Sequence, residues 1–255
     1  MIVLGFDTST RATSVALMLD DDEMLRARDD PGLEEHPGHA TRLLAMAAEL
    51  LATAGISWPS VERIAVGLGP GTFTGLRVGI ATARGLAQSL AADLVGVSSS
   101  LALAKAALEA IPGEHDAPRA GRVLAVIDAR RGEVFAGAYR AGGPDSAAEL
   151  APPRAIAPGQ LGTVLALAEE HGAGTDKWFA VGDGAVRYRD QLERIAVIVP
   201  DDSSRLHLVD AATICELGRH GQPVMTYEQI LPDYRRRPDA EIALDGVETG
   251  RGVPS

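Results

Sequence analysis

Apolar and polar positions follow two rhythms along the chain, and each change of rhythm marks an element. Residues 2–6 are a short apolar run ending at Asp7-Thr8-Ser9-Thr10, and residues 13–19 form a second run. Two such runs around an acidic, hydroxyl-rich turn predict a β-hairpin. Residues 20–35 are polar and acidic, with Pro31 and Gly32, and read as an exposed loop or an edge strand. Over residues 39–54, Leu43, Leu44, Ala47, Leu50, Leu51 and Ala54 recur at helical spacing, and Gly55 supplies a stop. Residues 64–67 return to a short strand. Gly67, Gly69, Pro70 and Gly71 break it, and a helix follows to about residue 91, with Thr72 or Thr74 as its cap. A strand over 93–98 and a helix over 101–110 come next, and residues 111–121, with two prolines and mixed charge, read as a linker.

The pattern then restarts. A strand over 123–127 ends at Asp128-Ala129-Arg130-Arg131-Gly132, and 133–139 is its return strand. Residues 141–158 read as loop, 161–171 as helix, 179–184 as a strand entering a glycine turn with a short helix to 193, 196–199 as strand and 209–218 as helix. The halves correspond: VLGFDTSTRATSVAL with VLAVIDARRGEVFAGAY, IAVGLGPG with FAVGDGAV, and LVGVSS with VIVPDD. Shared order over about a hundred residues predicts an internal duplication. The expected fold is α/β and is similar to the actin-like ATPase (ASKHA) fold, two duplicated RNase H-like lobes. Residues 1–110 would form the N-terminal lobe, 122–230 the C-terminal lobe and 231–255 a tail. In that architecture the two hairpin turns hold nucleotide phosphates, and an Asp at the first turn orients magnesium through water.

The glycine-rich stretch allows two readings. Its strand-to-helix turn would let backbone approach an anion at a helix N-terminus. Alternatively, Gly75, Gly79 and Ala83 recur every four residues and give the helix a flat side for close packing by another helix. It is no Walker loop, since no lysine lies between residues 64 and 91, and Gly67-Leu68-Gly69-Pro70-Gly71 is a poor dinucleotide fingerprint. Asp7, Thr8, Ser9, Thr10 and Asp128 are the candidate nucleotide-phosphate residues; for the isolated chain, a simple Asx-type turn is the favoured account of the first four. Arg130 and Arg131 can contact phosphate, obstruct the cleft or stay solvated. His36 and His39 are three apart with no third ligand nearby, which argues against a metal.

Composition narrows the classes. A net charge of −11 over 255 residues argues against a protein that grips nucleic acid alone. The dense basic run is Arg235-Arg236-Arg237, expected as solvated tail or as a contact to RNA or an acidic partner. The lone Cys215 lies in an apolar helical stretch and excludes an internal disulfide. No apolar run approaches a membrane span, and the start has no basic leader, so a cytoplasmic location is expected.

Certain segments carry a closer resemblance. FDTSTRATSVAL, the helix over 39–54, IAVGLGPGTFTGLRVGIATARGLA, LVGVSSSLALA, IDARRGEVF and GDGAVRY, in this order, resemble the bacterial TsaB (YeaZ) family over roughly residues 2–238. GPGTFTGLRVGIATARGLA is the most diagnostic segment. The resemblance implies a non-catalytic subunit that activates a TsaD-type paralogue in threonylcarbamoylation of adenosine next to the tRNA anticodon. It implies a heterodimer with that paralogue, a TsaE-type ATPase in a ternary complex, a homodimer when alone, and only indirect contact with tRNA. ATP or ADP and metal are expected on those partners, with no cofactor bound tightly here. TsaD-like sequences carry a His-x-Glu-Gly-His metal site where this chain reads Ser98-Ser99-Ser100-Leu101-Ala102-Leu103, which offers no transition-metal ligand. The resemblance also implies a partner interface on the two helices, at His39, Leu43, Met46, Leu50, Gly75, Arg77, Gly79 and Ala83. Two alternatives remain: an autonomous actin-fold small-molecule kinase, for which no catalytic base stands out, and a glycoprotease-like enzyme, against which the missing ligands and the lack of a Gly-x-Ser-x-Gly elbow count.

Overall fold

A computed structural model describes residues 1–20, 23–32, 34–110, 121–143, 146–172 and 177–235. The first half builds strands β1 (Val3–Asp7), β2 (Thr13–Met18), β3 (Met24–Asp29), β4 (Arg63–Gly67) and β5 (Asp93–Val97) and helices α1 (His39–Ala54), α2 (Phe73–Leu90) and α3 (Ser99–Glu109). Its sheet runs β3-β2-β1-β4-β5. The hairpin strands pair antiparallel, Leu4 opposite Leu17, and β1, β4 and β5 pair parallel, Leu4 opposite Ile64 and Ile64 opposite Leu94. Strands β1 and β2 are buried along their whole length, which explains their unbroken apolar runs. The polar segment before α1 contains the edge strand β3. Gly55 ends α1 at φ 67°, the left-handed conformation a glycine adopts without strain. Thr72 sits at the N-cap of α2, but its hydroxyl caps no amide; its own N–H donates to Ser9 O at 2.7 Å.

The second half repeats the plan with β6 (Arg122–Arg130), β7 (Glu133–Gly143), β8 (Ser146–Ile156) and β9 (Trp178–Val181), ordered β8-β7-β6-β9. Helices α4 (Leu161–Glu170), α5 (Asp183–Arg187), α6 (Arg189–Arg194) and α7 (Ala211–His220) follow the same sequence of positions as α1 to α3, with α2 matched by the pair α5 and α6. Two expectations change here. The segment over 141–158, read as loop because of its prolines, contains β8. Pro152 and Pro153 are tolerated because β8 pairs with β7 alone and lies at the sheet edge. The strand expected over 196–199 shrinks to one parallel bridge, Phe179 with Ile198, where β5 stands in the first sheet. Both sheets therefore share one strand order, the second with a vestigial fifth member. That is the duplicated RNase H-like plan of the actin-like ATPase fold.

The last helix of each half covers the other half's sheet. Leu103, Ala104 and Ala107 of α3 pack with Val123, Ala125 and Ile127 of β6. Ala211, Ile214 and Cys215 of α7 pack with Val3, Ala16 and Ala65 of the first sheet. Helix α7 lies so close to β1 that a side chain at Gly5 would overlap the Cys215 sulfur. The Cys215 thiol, fully buried and facing the Val3 and Ala16 carbonyls, has its pKa pushed up by desolvation. Lys105 of α3 ties the two exchanged helices together through Glu109 and, at 3.1 Å, Glu216 of α7. After α7 the chain returns along the first lobe. Val224 N–H donates to Leu94 O at 3.0 Å, Ile230 is buried in the first core, and Asp233 N–H donates to Leu68 O at 2.8 Å. The expected linker at 111–120 and the tail beyond 235, with Arg236 and Arg237, lie outside the described residues. Among the described residues no helix is long and apolar enough to cross a membrane.

Candidate functional site

The first turn is held by its own neighbourhood. Asp7 is 1% exposed. Its Oδ1 accepts from Ser9 N–H at 2.8 Å and Ser9 Oγ at 2.6 Å, the Asx geometry, and its Oδ2 accepts from Ser99 Oγ at 2.5 Å. Ser99 Oγ in turn accepts from Gly69 N–H at 3.0 Å, and Thr8 Oγ1 donates to Gly75 O at 2.8 Å. The glycine-rich stretch is built around this turn. A side chain at Gly67 would overlap the Asp7 carboxylate, at Gly71 the Ser9 backbone, and at Gly75 and Gly79 the Thr8 carbonyl and hydroxyl. Neither an anion nor another helix takes up the glycines: residues 7–9 of the same chain do. Thr10 is half-buried beside them.

The second turn carries charge instead. Asp128 Oδ1 accepts from Arg130 N–H at 2.9 Å, and Oδ2 accepts from Arg130 Nη1 at 3.2 Å and Arg187 Nη1 at 2.8 Å. Arg130 and Arg131 both have positive φ, 64° and 54°, which ordinarily favours Gly or Asn. Beneath them, Asp183 Oδ1 accepts from Asp128 N–H at 2.9 Å. Burial pushes the Asp183 pKa up to about 6, and the nearby Asp128 charge adds to the rise. Both carboxylates at the turns are thus committed to donors of the protein, Asp7 to hydroxyls and an amide, Asp128 to two guanidinium groups. This donor set does not fit water-mediated magnesium on Asp7, nor phosphate at Asp128, where the arginines already occupy the carboxylate.

At the start of α3, where a metal-binding relative would need imidazoles, stand hydroxyls with partners of their own. Ser99 serves Asp7, and Ser100 Oγ lies 2.7 Å from the Tyr139 hydroxyl. Burial pushes the Tyr139 pKa up to about 12. His39 is buried with Nδ1 at 2.9 Å from Thr13 Oγ1, whereas His36 is exposed, so the two do not form a pair. Burial holds the His39 pKa below its ordinary value, against the opposing charges of Asp7 and Asp29. Among the described residues, no group of three or more His, Cys, Asp or Glu side chains could hold a metal ion.

The residues expected to form a partner interface mostly face inward. His39, Leu43, Met46 and Leu50 lie on the buried side of α1, and Gly75, Gly79 and Ala83 on that of α2. The packing side of the small residues is real, but it is used against the Thr8 turn and the first core. Arg77 is exposed and turned to the C-terminal segment, where Nε donates to the Tyr234 hydroxyl at 2.9 Å. The outward face holds other residues. On α1 these include Leu44, 46% exposed, with Ala45, Ala48 and Ala52. On α2 they include Thr74, Ala81 and Gly85, and a side chain at Gly85 would meet nothing within 4 Å. Periodicity hides this face because Leu44 fits the apolar period of the core side although it points outward. Arg187, Asp183 and Ser99 were missed because their roles depend on contacts distant in sequence.

Comparison with known proteins agrees with this geometry. A family model described as TsaD, tRNA N6-adenosine threonylcarbamoyltransferase, matches residues 34–161. The Escherichia coli tRNA threonylcarbamoyladenosine biosynthesis protein TsaB is 39% identical over 140 residues, 55% of this chain and 55% of that protein. The Haemophilus influenzae protein of the same name is 37% identical over 137 residues, 53% and 52% of the two chains. The matched stretch thus spans about half the length of these curated relatives. The structure of YeaZ from Pseudomonas aeruginosa superposes with a TM-score of 0.70 at 30% identity, covering 92% of this chain and 100% of that one. With 30% identity to a solved YeaZ that it covers along its whole length, the chain belongs to the TsaB (YeaZ) family.

Proposed function

We propose that this protein is a non-catalytic subunit of the machinery that threonylcarbamoylates adenosine next to the tRNA anticodon, and that it acts by binding and activating a TsaD-type transferase. The observation that carries the reading is the pairing of a turn closed by its own chain with an outward α1–α2 face on which Leu44, Ala45, Ala48, Ala52, Ala81 and Gly85 are exposed. A kinase or hydrolase of this fold needs a free carboxylate at the first turn; here Ser99 and Ser9 hold it. A surface of small residues on two adjacent helices lets partner helices approach closely and bury apolar area, as a subunit contact requires. The partner in the assembly is the TsaD-type paralogue, joined by a TsaE-type ATPase; alone, a second copy takes that face. Nucleotide and metal belong to those partners in this reading, and the location is cytoplasmic.

Reconstitution tests it. TsaD-, TsaE- and TsaC-type partners, ATP, threonine, bicarbonate and unmodified tRNA are combined with and without this chain. Product should form only when the chain is present. Gly85→Trp, placed where the fold has open space, should keep the melting temperature and lower product formation about tenfold or more by blocking the helix face. Equal product without the chain, or full activity of the Trp variant, would contradict the proposal.

A further inference from the structure

Helix α2 has a second exposed side. Phe73, Arg77 and Arg84 are spaced by four and seven residues and share the flank turned toward the returning C-terminal segment. Arg84 donates to the carbonyls of Glu228, at 3.1 Å, and Ile230. About three turns of α2 toward its start, Tyr234 stacks on Phe73 with ring centroids 5.2 Å apart and planes 28° apart. The Arg77 guanidinium lies 3.6 Å from the Phe73 ring centroid and hydrogen-bonds Tyr234. Arg235 follows, its Nε 2.6 Å from Asp233 Oδ1. Neither ring is core: Phe73 is 41% exposed and Tyr234 42%. The segment needs neither for anchorage, since buried Ile230 and the Asp233–Leu68 hydrogen bond already fix it.

We infer that this flank, Phe73, Arg77, Tyr234 and Arg235, is a contact for single-stranded RNA in the assembly, a reading that rests on the function proposed above. Exposed rings beside guanidinium groups suit unpaired bases, which stack on aromatic faces and on arginine planes while arginines take the phosphates. An acidic protein surface would be served by arginines alone and gives no use to two stacked, half-exposed rings. Pre-ordering of the rings by the Arg77 bridge and the pinned segment lowers the entropy lost on binding. Two of the proposed contacts, Arg77 and Arg235, are arginines in a chain of net charge −11. The overall charge fits a contact that works only when other subunits hold the RNA. Ala81 lies four residues beyond Arg77, so the flank borders the face assigned to the protein partner, and affinity for RNA and for that partner are read separately.

The test uses the reconstituted assembly and a fluorescent RNA hairpin with an unpaired loop, read by anisotropy across a salt series and by ultraviolet cross-linking with peptide mapping. Phe73→Leu and Tyr234→Leu keep apolar packing and remove a ring; each should weaken RNA binding about five- to tenfold. Tyr234→Phe keeps the ring but loses the hydrogen bond from Arg77, and should weaken RNA binding less than Tyr234→Leu does. Arg235→Ala should weaken binding and flatten its salt dependence by about one phosphate contact. Cross-links should map to the peptides containing Phe73 or Tyr234. Unchanged RNA affinity in both Leu variants overturns the inference, as does a loss of affinity for the protein partner with RNA binding intact. Product formation is measured in parallel. If it requires the chain while the Leu variants bind RNA normally, only this inference fails; if it proceeds without the chain, the functional reading fails.

Discussion

Thr8 shows how much is decided by one side chain against one missing side chain. Its hydroxyl donates to Gly75 O at 2.8 Å and occupies the space where Gly79 would carry a Cβ. Gly79→Ala should therefore destabilise the chain by about 1–3 kcal/mol, because the hydroxyl must move or abandon its hydrogen bond. Thr8→Ala should itself be destabilising, and the double variant should lose less than the sum, which chemical denaturation in a double-mutant cycle would reveal. The Asp7 turn was legible in sequence, since an Asp followed two residues later by a hydroxyl is a local pattern. Its third partner, Ser99, was not, because 92 residues separate the two and only the fold brings them together. The same distance hid why the stretch from Gly67 to Gly79 needs glycine. Spacing revealed a flat helical side but not what lies against it.

Local rhythm carries furthest for elements whose neighbours are also local. Helix α1 was legible to its last residue from apolar period and the closing glycine. Strand β8 was not, because prolines outweigh a strand pattern until the edge position is known. Helix α7 ends without a glycine in the left-handed conformation, and Gly221 has φ −68°. Its terminal carbonyls are served from another element: Arg63 Nη1 donates to Gly218, Arg219 and Gly221 at 3.1, 2.7 and 3.3 Å, while Nη2 holds Asp93 at 2.8 Å. Arg63→Ala should cost about 1–3 kcal/mol by removing these hydrogen bonds from the end of α7, and Arg63→Lys should recover only part of it, since an ammonium cannot reach all four acceptors from one position. Hydrogen exchange should locate the loss at the end of α7.

At the scale of the whole molecule, stability and pH are coupled through three buried groups. Burial depresses the pKa of His39 and His207 from 6.5, so the unfolded chain takes up more protons than the folded one below that pH, and stability falls on acidification. Asp183 acts oppositely: raised from 3.8 to about 6, it contributes stability at low pH that is lost as pH rises through 6. Asp183→Asn keeps an acceptor for Asp128 N–H. It should raise stability by about 1 kcal/mol or more at pH 8, and make the decline from pH 7.5 to 5.5 steeper than in the parent. Urea midpoints across this range would check both signs. The duplication and the actin-like plan were legible from repeated motif order, whereas the crossing of α3 and α7 was not, because each helix follows its own half in sequence. That crossing has a consequence for how the molecule comes into being. A ribosome that has released only residues 1–110 has made a sheet still lacking one of its covers, and a helix whose apolar side belongs to strands not yet synthesised. Folding is completed only when the C-terminal half arrives, and the finished protein should melt as one cooperative body rather than lobe by lobe.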